Sequence, residues 1–149
     1  MARVKDVVKK GTVTVDINEK AANIAKVMVE NEIAAVLVTH EEKIVGIITE
    51  RDLVRKVLAS NDSAEVPAGT CMSAPVISID PDALLSEAVR MMSSNKVRRL
   101  AVVKDGMLEG IITASDVARH LANLANHIDP FLNALARKAP PKDPTAGSR

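Results

Sequence analysis

The chain has 149 residues, 47% of them hydrophobic and 26% charged, with a net charge of +1. That is the length of one domain with a real core and the composition of an ordinary soluble globule, and the near-zero charge disfavours a nucleic-acid or anionic-membrane partner. Aromatic content is 1%, from Phe131 alone, so a bound base would have to be held by aliphatic side chains and backbone; readers of single-stranded nucleic acid, which stack bases on aromatic platforms, are disfavoured too.

The N-terminus, Met1-Ala2-Arg3-Val4-Lys5-Asp6, lacks the apolar stretch of a secretory signal. No apolar run approaches the ~20 residues of a membrane span. The lone cysteine, Cys71, cannot form an internal disulfide, which suits a reducing compartment, and the expected location is the cytoplasm.

Thr12 to Val15 alternates apolar and polar residues and predicts a strand. Asn18 then precedes a helix from Glu19 to Asn31, with Ala21, Ile24, Ala25, Val27 and Met28 at helical spacing. Ile33 to Val38 reads as a strand, His40 to Lys43 as a polar turn, Ile44 to Ile48 as a strand and Glu50 to Ala59 as a helix. Asn61 to Gly69 is a polar link. Val76 to Ile79 predicts the next strand, and Pro81-Asp82 opens a helix from Ala83 to Asn95. Val97 to Val103 and Met107 to Ile112 form a hairpin across Asp105-Gly106, a dipeptide whose two positions accept positive φ. Ala114 to Asn126 is the last main helix; a short amphipathic segment with Phe131, Leu132 and Leu135 follows, and the tail from Ala139 is expected to be disordered.

The two halves share one order, strand–helix–strand–strand–helix, and one spacing. Gly46-Ile47-Ile48-Thr49-Glu50-Arg51-Asp52 returns 64 residues later as Gly110-Ile111-Ile112-Thr113-Ala114-Ser115-Asp116. The same shift pairs Asp16 with Asp80, Met28 with Met92, Asn31 with Asn95, Val38 with Val102 and Arg55 with Arg119. Such a repeat predicts a pseudo-two-fold α/β (α+β) module with two equivalent clefts. Residues 1–62 form the first repeat, 63–128 the second, and 129–149 the C-terminal segment and tail.

Thr49-x-x-Asp52 and Thr113-x-x-Asp116 have a structural explanation as capping boxes before apolar helical runs. A capped helix start facing a cleft also offers free N–H groups to phosphate. Arg98 and Arg99 are adjacent on a strand and point to opposite faces, so at most one follows the core side; the other reading of the pair is a solvated strand entrance. A guanidinium fork suits phosphate. The first repeat has Ala34-Ala35 at the equivalent positions, so the clefts should be unequal. Arg51, Arg55 and Arg119 lie at or near helix starts, where they could supply charge instead, but read chiefly as exposed helix charges. His40, His120 and His127 share no metal spacing, Cys71 has no basic neighbour to activate it, and neither a phosphate loop nor a nucleophile elbow is present. The chain reads as a non-enzyme with no metal and no required cofactor.

Two units each closing on Gly-apolar-apolar-Thr-x-x-Asp resemble the tandem cystathionine-β-synthase-type (CBS) domain pair. Thr70 to Val76 is similar to the family's segment before the first strand, and Val97 to Val103 to its central strand. The resemblance covers roughly residues 3 to 126 and implies a regulatory module for adenosine-containing ligands (AMP, ADP, ATP or S-adenosylmethionine), here as a stand-alone member. It implies that Asp52 and Asp116 hold ribose, with Thr49 and Thr113 toward phosphate. Arg98 and Arg99 would clamp phosphate; Val13, Ile47, Ile48, Ile77, Ile111 and Ile112 are the candidates for the apolar walls around the base, and Thr12, Ala35 and Val76 are further candidate binding residues. AMP is the favoured ligand, with NAD a further alternative; a dimerisation module with empty clefts is the rival from another class. Apolar stripes at Leu53, Val54, Val57 and Leu58, and at Val117, Ala118, Leu121 and Leu124, predict a homodimer. The target protein it regulates is not encoded in these residues.

Overall fold

The structure, a computed structural model, describes residues 1–128 and Ala134. The expected segment with Phe131, Leu132 and Leu135, and the tail from Ala139, lie outside the described residues. A 3-10 turn (Val4–Asp6) and a short strand β1 (Lys9–Lys10) lead into the first repeat. That repeat comprises β2 (Thr14–Asp16), α1 (Ala21–Glu30), β3 (Ala35–His40), β4 (Lys43–Thr49) and α2 (Glu50–Leu53), which widens into a π turn over Val54–Leu58. After α3 (Ala68–Cys71) come β5 (Ser78–Ile79), α4 (Leu85–Asn95), β6 (Arg99–Lys104), β7 (Met107–Thr113) and α5 (Ala114–Ile128).

The 64-residue shift holds at the level of strand register. Val15 pairs with Val38 and Ile79 with Val102, both parallel; Ala35 pairs with Thr49 and Arg99 with Thr113, both antiparallel. Even the register shift recurs, after Val38 in one sheet and after Val102 in the other. The sheet orders are β2-β3-β4 and β1-β7-β6-β5. One face of each sheet is covered by its repeat's helices. Ile24, Met28, Val36, Val38, Ile48 and Val57 form the first core, and Leu85, Met92, Leu100, Val102, Ile112 and Val117 the second. Leu37 and Ala101, 64 residues apart and both buried, belong to neither core. By strand alternation they point to the opposite face, where the two repeats meet.

The lead-in segments are exchanged between the repeats. Val4, fully buried, sits in the second core, and β1 adds to the second sheet through Lys9 opposite Ile111. The equivalent residues of the second lead-in, Pro67 to Ser73, pack on the first repeat: Cys71 and Ala68 lie in its core, and Ser73 bridges Ile47. This exchange explains why α1 and α4 start two residues after the expected positions. Their first N–H groups are capped by backbone of the other lead-in rather than by Asn18 or Asp82. Ala21 N–H donates to Val66 O at 2.9 Å, and Leu85 N–H to Ala2 O at 3.0 Å.

The exchange also explains the motif glycines. A Cβ at Gly110 would meet Lys9 O, and Val8 Cγ2 at 2.9 Å; one at Gly46 would meet Met72. The crossing lead-in needs that space. A three-residue clip holds the N-terminal one: Lys5 and Lys104 each reach Asp82 at 2.9 Å, and these ammonium groups hold its carboxyl at about 2.

Both hairpins turn where the sequence predicts, with different residues at the turn. Asp105-Gly106 turns with φ of 50° and 77°, the two-residue turn its sequence predicts. The first hairpin is equally tight, but Glu41 and Glu42 occupy the left-handed positions, with φ of 49° and 65°. The π turn is a further departure: Ala59 N–H donates five residues back, to Val54 O at 2.7 Å.

Candidate functional site

Thr113 ends β7 and Asp116 lies in the first turn of α5, so the strand–helix junction fixes both. Thr113 N–H donates to Asp116 Oδ2 and Asp116 N–H to Thr113 Oγ1, each at 3.1 Å. The capping box is therefore present. It occupies only one carboxylate oxygen. Asp116 is 7% exposed, and among the described residues it is the one buried charged side chain. Its Oδ1 faces the Arg119 guanidinium at 3.2 Å and Lys9 Nζ at 3.9 Å.

Asp116 lines a cleft of about 460 Å³ to which both repeats contribute. Thr12, Val13, Ala34 and Ala35 come from the first repeat; Arg99, Thr113 and Arg119 come from the second; Lys9 comes from the crossing lead-in. The strand of Thr12 and Val13 begins its ladder only at Thr14, leaving these two at the cleft. Of the candidates from sequence, Thr12, Val13, Ala35, Arg99, Ile111, Thr113 and Asp116 thus line one cavity. With apolar Val13, Ile33 and Ile111, the carboxylates of Glu32 and Asp116 and three cations, it offers acceptors for hydroxyls, charge for an anion and an aliphatic wall.

Other candidates lie elsewhere. Ile112 and Ile48 are fully buried in the second and first cores. Neither lines the cleft: alternation along β7 sends Ile112 inward and its neighbour Ile111, also a candidate from sequence, to the cleft. Arg98 is exposed and not part of the cleft lining; it precedes β6, with its carbonyl accepting from Ala114 N–H at 2.9 Å. Ile77 packs against the second core. Val76 lines a smaller cavity of about 290 Å³ between the sheets, beside Thr14, Thr39 and Ser78. Thr49 and Asp52 form the first repeat's capping box.

Sequence reading missed Lys9, which only the exchanged lead-in brings to the cleft, and favoured an exposed helix face for Arg119 over a supply of charge to the site. Arg119 is 57% exposed but leans onto Asp116, three residues earlier on the same helix. Cys71 is 1% exposed, and burial, with the charge of Asp52 second, pushes its thiol up; it is a core residue rather than a nucleophile. Among the described residues no group of three His, Cys, Asp or Glu could hold a metal ion, and none of the helices is long and apolar enough to cross a membrane.

Residues 4–59 and 66–123 each match the CBS domain. The chain belongs to the CBS-domain family. The CBS pair is 37% identical over 134 residues to an uncharacterised protein of Methanopyrus kandleri, covering 88% of this chain and 64% of that protein. It is 31% identical to Hypoxic response protein 1 of Mycobacterium tuberculosis, over 91% of this chain and 94% of the relative. Among solved structures, the CBS domain pair of protein MJ0100, in complex with 5′-methylthioadenosine and S-adenosyl-L-methionine, superposes with a TM-score of 0.72 at 28% identity. That match covers 80% of this chain and 99% of the other. CBS pairs are regulatory ligand-binding modules, and the two-repeat fold described above is theirs.

Proposed function

We propose that this CBS pair is a non-enzymatic regulatory module that binds an adenosine-containing ligand, AMP first, in the cleft at Asp116. The observation that carries the reading is the buried carboxylate of Asp116, half of it committed to the helix cap and half facing a cavity rimmed by cations. A carboxylate with unfilled lone pairs suits the two hydroxyls of a ribose. Lys9, Arg99 and Arg119 against Glu32 and Asp116 leave the lining one positive charge in excess, which suits one phosphate better than three. The complex of MJ0100 supports an adenosine-type ligand class and makes S-adenosylmethionine the main competitor. The single cysteine suits a reducing cytoplasm as the site of action.

The test is thermal unfolding with AMP, ADP, ATP, S-adenosylmethionine and NAD, followed by circular dichroism because the chain has no Trp. Ligand at 100 times its dissociation constant adds ~2.7 kcal/mol if it binds the native state only. That is a rise of roughly 5–10 °C for a domain of this size. No shift with any of the five at millimolar concentration would leave the cleft without an adenosine ligand.

We also propose that the module works as a homodimer. The two apolar stripes divide by face: Val57 and Val117 are buried, whereas Val54, Leu58, Leu121 and Leu124 are 54%, 72%, 55% and 41% exposed. Exposed leucines and valines on two helices are an interface in search of a copy. Leu121→Glu is expected to halve the particle mass seen by light scattering. A 15.9 kDa particle for the unmodified chain at tens of micromolar would rule the dimer out.

A further inference from the structure

The two repeats present the same Thr-x-x-Asp device, yet the surroundings of the two carboxylates are opposite. Asp52 is saturated. Its Oδ2 accepts from Thr49 N–H at 3.0 Å and from Thr49 Oγ1 at 3.2 Å. Its Oδ1 accepts from Ser73 Oγ at 3.0 Å and is ion-paired with Lys56 Nζ at 3.3 Å. Four donors thus face a group with about four lone-pair sites. Lys56 is itself fixed in this place, because its ammonium also donates to Met72 O at 3.0 Å and to Ser73 Oγ at 3.1 Å.

Asp116 is not saturated. Thr113 N–H and the Arg119 guanidinium are its hydrogen-bonding donors among the described residues, and Lys9 stands too far for a hydrogen bond. The difference traces to two positions 64 residues apart. Where the first repeat has Lys56, the second has His120, whose buried Nε2 has no hydrogen-bond partner among the described residues. Where the second lead-in has Ser73, the first has Lys9.

We infer that Lys56 is an internal occupant of the first repeat's carboxylate, so that the chain offers one receptor for a ligand diol, at Asp116, and withholds the other. Lys56 and Ser73 supply to Asp52 the two donors that a vicinal diol would supply to Asp116. An arriving ligand would have to displace an ammonium held by three oxygen acceptors. At Asp116 it meets the Arg119 guanidinium on Oδ1, a group 57% exposed and hydrogen-bonded, among the described residues, to that carboxylate alone. The inference rests on the cleft at Asp116 being a ligand site, and the experiment separates the two claims.

Isothermal titration with AMP as the probe reads the number of events per chain. One event is expected for the unmodified protein. Lys56→Ala is expected to give two, because the Ser73 hydroxyl that Lys56 now orients becomes free to turn away. Adding Asp116→Asn to Lys56→Ala is expected to return the count to one. Lys56→His serves as a second variant, since it installs the residue that the second repeat accommodates at that place; far-UV circular dichroism checks the fold of each. Two events in the unmodified chain, or one event persisting in both Lys56 variants, would overturn the inference and leave the cleft assignment standing. If the unmodified chain binds no AMP, the cleft assignment fails. A single event gained on Lys56→Ala would then still sustain the role of Lys56, and none gained would sink it.

Discussion

Gly110→Ala is expected to destabilise the protein by about 1–3 kcal/mol, the usual cost of forcing extra volume into a packed site, and Gly46→Ala by distinctly less. The two glycines hold the same place in the two repeats, and each is crossed by the lead-in of the other. What they meet differs. A methyl at Gly110 runs into the backbone carbonyl of Lys9, in a strand held in register against β7, and into Val8. Neither can move without lifting β1 from the sheet. A methyl at Gly46 meets the Met72 side chain, its sulfur foremost; the unbranched thioether re-routes at small cost, which leaves only the 3.0 Å approach to Met72 Cβ to be relieved. With a melting shift of roughly 2–4 °C per kcal/mol at this size, the pair should separate clearly in calorimetry. Equal losses, or a larger loss at Gly46, would mean that the crossing lead-in does not set the requirement for glycine.

Asp116→Asn is expected to weaken AMP binding by about 10–100-fold, from the loss of hydrogen bonds to a charged acceptor worth ~1.5–3 kcal/mol. The melting temperature of the free protein should stay within a few degrees. The amide oxygen can keep the place of Oδ2 and accept from Thr113 N–H, so the cap survives. The amide nitrogen then takes the place of Oδ1, where it presents a donor to the Arg119 guanidinium and to any ligand hydroxyl. The lost Arg119 pair costs little, because that guanidinium is more than half exposed. A residue that served only as a cap would leave the affinity unchanged, so the loss of binding is the readout that decides between the two roles.

Much of the fold was legible because the duplication doubles every signal. The order of strands and helices, the Asp105-Gly106 turn and the helix cap at Thr113 follow from local chemistry that a linear pattern displays. Failures cluster where distant chain decides. The turn at His40 to Lys43 was placed correctly, but not its geometry: Glu41 and Glu42 adopt left-handed conformations that neither residue favours, because the paired strands on both sides dictate a two-residue turn. The starts of α1 and α4 were misplaced because their caps are backbone carbonyls more than forty residues away, which no local capping motif records. At the cleft, Arg99 could be separated from Arg98 only in structure, although alternation already required that the two part company. Lys9 was invisible for the same reason as the helix starts: it belongs to the first repeat in sequence and to the second in space.

That crossing has a further consequence for a chain of half this length. Residues 1–62 alone would carry Val4 with no core to enter, and would leave Ala21 and Ala22 N–H without the carbonyls of Val66 and Ala64 that satisfy them. Two such half-chains could complete each other, the leading arm of each reaching into its neighbour, but only by an association that dilution reverses. Tethering the halves through a short connection makes the same contacts intramolecular, at an effective concentration in the millimolar range. The covalent join between the repeats thus frees the folding of the module from its abundance in the cell.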